Sequence, residues 1–174
     1  TGDSDFKQIK GLEIDMIYKN LETQERAPEF ELKDKDGKLY RLNDIKSNYL
    51  VLYFYPKDDT PGCTIEAKSF TDYIDKFNKL NAKIIGISGG DQNSKKKFCD
   101  KHNLNLLLLS DTDFSISKKY GVYGEKSFLG KKFFGIKRTT FILDKYYKMI
   151  KIYENVKPEN HAEDVLKFIK NMNK

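Results

Sequence analysis

The apolar run Tyr49 to Tyr55 reads as a buried strand, and the residues after it, Pro56-Lys57-Asp58-Asp59-Thr60-Pro61-Gly62-Cys63, cannot continue it. Thr60 suits a helix N-cap and Pro61 the first helical position. Phe70, Tyr73, Ile74 and Phe77 then recur at helical spacing, which predicts one helix running to about Asn81. This passage restricts the fold more than any other. It demands a strand, a short loop and a helix, with Cys63 in the first helical turn just beyond the strand's carboxyl end. Unpaired N–H groups and the positive end of the helix dipole favour a thiolate at such a position. An accessible thiolate is a nucleophile, so the pattern points to a redox or nucleophilic enzyme rather than a passive module.

The rest of the chain extends the strand–helix alternation. Lys35-Asp36-Gly37-Lys38 between short apolar segments predicts an N-terminal hairpin, with a helical turn near Asn43 or Asp44. Ala82–Ser88 reads as a second buried strand, Ser94–His102 as a helix carrying Cys99, Asn105–Leu109 as a strand and Thr112–Tyr120 as a helix. Residues 121–135, rich in glycine and aromatics, read as a long loop. Arg138–Leu143 and Met149–Tyr153 predict a second hairpin across Asp144-Lys145, and Glu159–Met172 a closing helix that buries Val165, Leu166 and Ile169. Strand–helix alternation implies parallel strands with right-handed crossovers, and the hairpins add antiparallel ones. The expected class is α/β: a thioredoxin-like fold with a mixed central sheet flanked by helices and an N-terminal β-hairpin. Residues 25–174 are expected to form one domain, with 1–24 as an extension.

Bulk properties exclude several classes. Apolar stretches such as Leu106–Leu109 are too short to span a bilayer, so no membrane partner is expected, and Thr1 to Lys10 show no charged-then-apolar signal pattern. Two cysteines, Cys63 and Cys99, cannot build a disulfide framework. With only His102 and His161 as histidines, and no ligand spacing, no metal is expected either. This fits an intracellular chain, cytoplasmic or nuclear, with an organelle not excluded. The net charge of +6 comes mostly from scattered lysines, and no aromatic–basic motif accompanies it, so nucleic acid is not an expected partner.

The string YFYPKDDTPGCT, residues 53–64, resembles the active-site segment of the peroxiredoxins, specifically the peroxiredoxin Q or bacterioferritin comigratory protein group, whose pattern is Pro-x-x-x-Thr/Ser-x-x-Cys. APEFELKDKDGK (27–38), IIGISGGDQNSKKKF (84–98) and YGVYGEKSFLGKKFFGIKRTTFILD (120–144) are similar to further stretches of that group in the same order. The resemblance implies a thiol peroxidase without metal or organic cofactor. Cys63 corresponds to the peroxidatic cysteine, and Thr60 to the hydroxyl that bonds thiolate and peroxide. Pro56 corresponds to a shield against water, and Arg138 to the active-site arginine. Arginine stays charged and donates in a fixed plane, which suits stabilising charge on a departing oxygen. Glu66 and Asp59, also near Cys63, read as solvated or capping groups.

The group often places its resolving cysteine five residues after the peroxidatic one, but Lys68 stands there. A second variant carries it in the following helix, where Cys99 lies. The resemblance therefore implies an intramolecular Cys63–Cys99 disulfide. With the helix begun near Asp91, Cys99 would lie about 12 Å along it at about 1.5 Å per residue. A disulfide needs Cα atoms within about 7 Å, so closure would require local unwinding. The implied substrates are hydrogen peroxide and organic hydroperoxides, the implied reductant is thioredoxin, and the implied state is a monomer. The alternatives are a one-cysteine peroxidase resolved by glutaredoxin or glutathione, and a thioredoxin-fold binding module associated with nucleic acid.

Overall fold

The computed structural model describes residues 26–174. The expected extension over 1–24 lies outside them. Among the described residues nine strands and five α-helices follow one another: β1 (Glu31–Lys33), β2 (Leu39–Arg41), β3 (Tyr49–Phe54), α1 (Pro61–Asp72), α2 (Ile74–Lys79), β4 (Ala82–Ser88), α3 (Gln92–His102), β5 (Leu107–Ser110), α4 (Ser115–Lys119), β6 (Tyr123–Phe128), β7 (Lys131–Ile136), β8 (Thr139–Asp144), β9 (Met149–Tyr153) and α5 (His161–Met172). A 3-10 turn at Leu42–Asp44 follows β2.

Seven strands form one mixed sheet in the order β2-β1-β5-β4-β3-β8-β9. β3, β4 and β5 are parallel, and β8 runs antiparallel to β3. β3 is therefore central, and its side chains divide with the period of a strand. Leu50, Leu52 and Phe54 enter one core with Ile85, Ile87, Leu109 and Phe141. Val51, Tyr53 and Tyr55 enter the other, beneath α1, α2, α3 and α5, with Phe70, Phe77, Phe98 and Val165. Burial on both faces explains why the run from Tyr49 is continuously apolar rather than alternating. Cys63 and Cys99 both belong to the second core. This mixed sheet with its helices and N-terminal hairpin is the thioredoxin-like fold.

Several elements depart from expectation. The single helix expected from Pro61 to Asn81 is two, interrupted at Tyr73 with φ −98° and ψ 4°. Thr71, Asp72 and Tyr73 are all mediocre helix formers, and Phe70 and Phe77 still meet beneath the break with ring centroids 6.1 Å apart. The helix expected over Thr112–Tyr120 shrinks to Ser115–Lys119 because Phe114 adopts a left-handed backbone. The buried Asp111 carboxylate then accepts from the N–H groups of Ile116 and Ser117. Residues 121–135 are not a loop: β6 and β7 form a separate antiparallel hairpin. Its turn residues Leu129 and Gly130 have φ 51° and 78°, the paired positive values of a type I′ turn.

Candidate active site

β3 ends at Phe54, and the chain turns through Pro56 to Pro61 into α1. Thr60 has the extended backbone of an N-cap, and Thr64 N–H bonds its carbonyl at 2.9 Å. Its hydroxyl does not cap the helix. It donates instead to the Lys57 carbonyl at 3.0 Å, bracing the loop. Pro56 is half-buried in that loop. Pro61 occupies the first helical position, where its missing N–H costs nothing. Cys63 follows in the first turn. The thiol expected to be accessible is buried, at 1% exposure.

Arg138 reaches Cys63 from the short link between β7 and β8, not from a strand as expected. Its Nη2 donates to Cys63 Sγ at 3.3 Å, and its Nη1 to Glu66 Oε1 at 2.8 Å. Burial opposes the guanidinium's charge, but Glu66 and Cys63 outweigh it and raise the Arg138 pKa. Gly62 makes room for this approach: a Cβ there would lie 3.1 Å from Nη2.

Glu66 corrects a second expectation. It is not solvated but buried, one turn after Cys63 on the inward face of α1. Burial pushes its pKa up to about 7, against the opposing pull of Arg138. Its Oε2 is buried without a hydrogen-bond partner. The signal was present in the sequence: Cys63, Glu66, Ala67 and Phe70 follow the spacing of one helical face, so a carboxylate lay on an apolar stripe.

A second polar cluster lies behind the same loop. Asp58 is buried and accepts from Tyr55 OH at 2.6 Å, Ser94 Oγ at 2.6 Å and Lys95 Nζ at 2.9 Å. Lys95 has 0% exposure and also donates to Ser88 Oγ at 2.7 Å and the Gly90 carbonyl at 3.1 Å. Ser94 and Lys95 belong to α3, so the loop before Cys63 is tied to the helix that carries Cys99. Asp59, expected to be a surface group, is one, and pairs with Lys101 at 2.8 Å and His102 at 2.7 Å near the other end of α3. Cys99 is a free thiol, as is Cys63, and burial pushes its pKa up.

Cys63 and Arg138 are therefore in contact, Thr60 and Pro56 frame the loop that delivers Cys63, and Cys99 lies in the same core beneath the sheet. Residues 23–152 match the model of the AhpC/TSA family. The chain is 43% identical over 152 residues to Peroxiredoxin Bcp of Bacillus subtilis, covering 87% of this chain and 97% of that protein. It is 38% identical over 150 residues to Peroxiredoxin Bcp of Escherichia coli K12, covering 86% and 96%. Among solved structures, the bacterioferritin comigratory protein of Xanthomonas campestris superposes with a TM-score of 0.78 at 34% identity, covering 83% of this chain and 92% of that one.

Proposed function

Since the chain belongs to the AhpC/TSA family and, within it, to the peroxiredoxins of the Q or bacterioferritin comigratory type, we propose that Cys63 is its peroxidatic nucleophile. The observation that carries this reading is the 3.3 Å contact between Arg138 Nη2 and Cys63 Sγ at the start of α1. The guanidinium and the first-turn N–H groups both favour negative charge on sulfur. The thiolate attacks one oxygen of a hydroperoxide: an S–O bond forms and the O–O bond breaks. The departing oxygen takes a proton and leaves as water or an alcohol. Sulfur is oxidised to a sulfenic acid. Arg138 stabilises charge on the departing oxygen, Thr60 bonds the incoming peroxide and Pro56 shields it from water.

Hydrogen peroxide and organic hydroperoxides are the proposed substrates. The Xanthomonas campestris relative is described by its alkyl peroxide reduction activity. Cys99 is the proposed resolving thiol: its sulfur displaces hydroxide from the sulfenic acid, water leaves, and a Cys63–Cys99 disulfide forms. The two cysteines replaced by serine in solved variants of the Xanthomonas protein are 36 positions apart, as are Cys63 and Cys99 (99 minus 63). Both sulfurs are buried in separate helices, and closure of the bond is taken to require local unwinding of one or both helix segments. A small dithiol protein of the thioredoxin type then returns the electrons. The working domain is taken as 25–174 and the working unit as a monomer.

The test is the intact mass of the reduced protein after one equivalent of hydrogen peroxide, without added thiol. Loss of two hydrogens, with Cys63 and Cys99 linked on peptide mapping, is expected. Cys63→Ser abolishes the reaction. Cys99→Ser retains one turnover, leaves a sulfenic acid and loses thioredoxin-driven recycling. Retained recycling in that variant would refute the resolving role and favour a one-cysteine enzyme served by glutaredoxin or glutathione.

A further inference from the structure

Half of the large apolar side chains exposed among the described residues, four of eight, fall within residues 128–134, on the β6–β7 hairpin. Leu129 is 86% exposed at the turn, Phe128 is 67% exposed beside it, and Phe133 and Phe134 follow on β7. The cross-strand register places these side chains on both sides of the ribbon. Phe128 pairs with Lys131, and Phe133 with Lys126, on one face. Phe134 pairs with Glu125, and Ser127 with Lys132, on the other. A hairpin packing on its own core would be apolar on one face only. This one is apolar on both faces and at its tip.

The charge around the tip has one dominant sign. Residues 124–137 hold four lysines against a single glutamate. That glutamate, Glu125, sits 3.8 Å from Lys132. Lys131 and Lys132 are exposed next to the turn, within reach of whatever the tip enters. The hairpin stands apart from the seven-stranded sheet. Its base is fixed by buried Ile136, by Tyr123 against Phe114 with ring centroids 4.6 Å apart, and by Lys137 N–H on the Val122 carbonyl at 2.8 Å.

We propose that the β6–β7 tip is a surface anchor for anionic lipid, with Phe128 and Leu129 entering the headgroup–acyl boundary and Lys131 and Lys132 set against lipid phosphates. Aromatic and leucine side chains beside lysines are what such a boundary accepts. The negative surface potential of anionic lipid supplies the complementary charge. A second copy of the chain would bring lysines against lysines. A flat acidic protein surface would cover one face of the ribbon and leave the other phenylalanine in water. Only the tip enters, so the unpaired edges of the ribbon stay among hydrated headgroups. Among the described residues no helix is long and apolar enough to cross a membrane. The proposal departs from the expectation that the chain has no membrane partner. Arg138 follows β7 after one residue, so docking holds Arg138, and with it the Cys63 site, about 25 Å or less from the lipid, at about 3.3 Å per strand residue. The proposal concerns where the protein sits and stands whether or not Cys63 reduces peroxide.

The test is co-sedimentation of the full chain with phosphatidylcholine vesicles, with and without about one-third phosphatidylserine. Binding to the anionic vesicles that weakens with salt is expected, with none to the neutral ones. Phe128→Ser with Leu129→Ser, and separately Lys131→Glu with Lys132→Glu, should each reduce partition by about tenfold or more. Circular dichroism checks their folding. The chain contains no tryptophan, so Leu129→Trp provides a single reporter whose emission should shift to the blue on vesicles and be quenched by brominated lipid. Unaltered emission, absence of vesicle binding, or binding indifferent to both pairs of substitutions would overturn the proposal. So would tip-dependent self-association, or tip-dependent capture by an acidic protein, without vesicle binding.

Discussion

Lys95 pairs with Asp58, and Arg138 pairs with Glu66, at 2.9 and 2.8 Å, and all four side chains are largely withdrawn from solvent. In the first pair the three ammonium protons meet Asp58, Ser88 and the Gly90 carbonyl. Both oxygens of Asp58 are occupied. Gly90 is part of the fit, since a Cβ there would fall 2.1 Å from Asp58 Oδ2. In the second pair Glu66 Oε2 has no partner, and Arg138 spends one donor on Cys63 Sγ. A saturated pair holds two elements in register, and nothing in it is left over for a ligand. An under-satisfied pair beside a thiol keeps a charged donor aimed at the reacting atom and carries the desolvation cost of an unpaired oxygen.

The widest separation between the two pairs should appear when each loses a partner. Asp58→Ala leaves the Lys95 ammonium buried and unpaired, which should cost about 3–5 kcal/mol of stability. Denaturant unfolding with an unchanged slope measures it; a loss below about 1 kcal/mol would place the pair among exposed ones. Arg138→Gln should do the reverse. Sulfenic acid formation at Cys63 should slow by about 10²- to 10³-fold in rapid-mixing experiments. Stability should change less than in Asp58→Ala, because Glu66 titrates near neutral pH and can take up a proton. A large stability loss with an intact peroxide rate would exchange the roles of the pairs.

The next effect is one of pH. Burial raises Glu66 from the ordinary carboxyl value to about 7. Between roughly pH 4.5 and 7 the folded chain therefore binds this proton more tightly than the unfolded chain does. Its contribution is fully present below the unfolded pKa and is lost as pH rises through the folded one. Glu66→Gln removes the proton. It should flatten the fall in stability across that window by up to about 3 kcal/mol, read from unfolding midpoints at several pH values. An unchanged slope would remove Glu66 as its source; His161, held neutral by burial with a pKa near 4, acts in the opposite sense and loses its contribution as pH falls.

The two pairs also differ in how far the sequence disclosed them. Cys63, its place in the first turn of α1 and the strand before it were legible from local pattern, because propensity, proline placement and apolar run all agree there. Arg138 was legible only through resemblance, since nothing local brings residue 138 to residue 63. Glu66 was misread because carboxylates usually lie outside, although its spacing from Cys63 and Phe70 placed it on the buried stripe. The Asp58–Lys95 pair was invisible: residues 37 positions apart share a network only once β3, β4 and α3 are assembled. The β6–β7 hairpin was missed for a different reason. Exposed on both faces, it has no hydrophobic alternation to announce a strand.

The smallest effect isolates burial itself. Asp59 adjoins Asp58 and also grips α3, through Lys101 and His102, but in solvent. Lys101 first, then His102, holds its pKa below the usual carboxylate value. Whatever it contributes is present above the unfolded pKa and lost only in acid, as pH falls through the folded one. At neutral pH and physiological salt, screening should leave Asp59→Asn with an unfolding midpoint indistinguishable from the parent. The backbone does not confound the comparison. Asp59 has φ 59°, in the left-handed region that asparagine tolerates as readily as aspartate. Two adjacent carboxylates that both hold α3 are then compared, one buried in a saturated network and one in solvent. If Asp59→Asn lowered the midpoint as far as Asp58→Ala, contact with α3 rather than burial would set the strength of both, and the contrast between saturated and under-satisfied pairs would lose its basis.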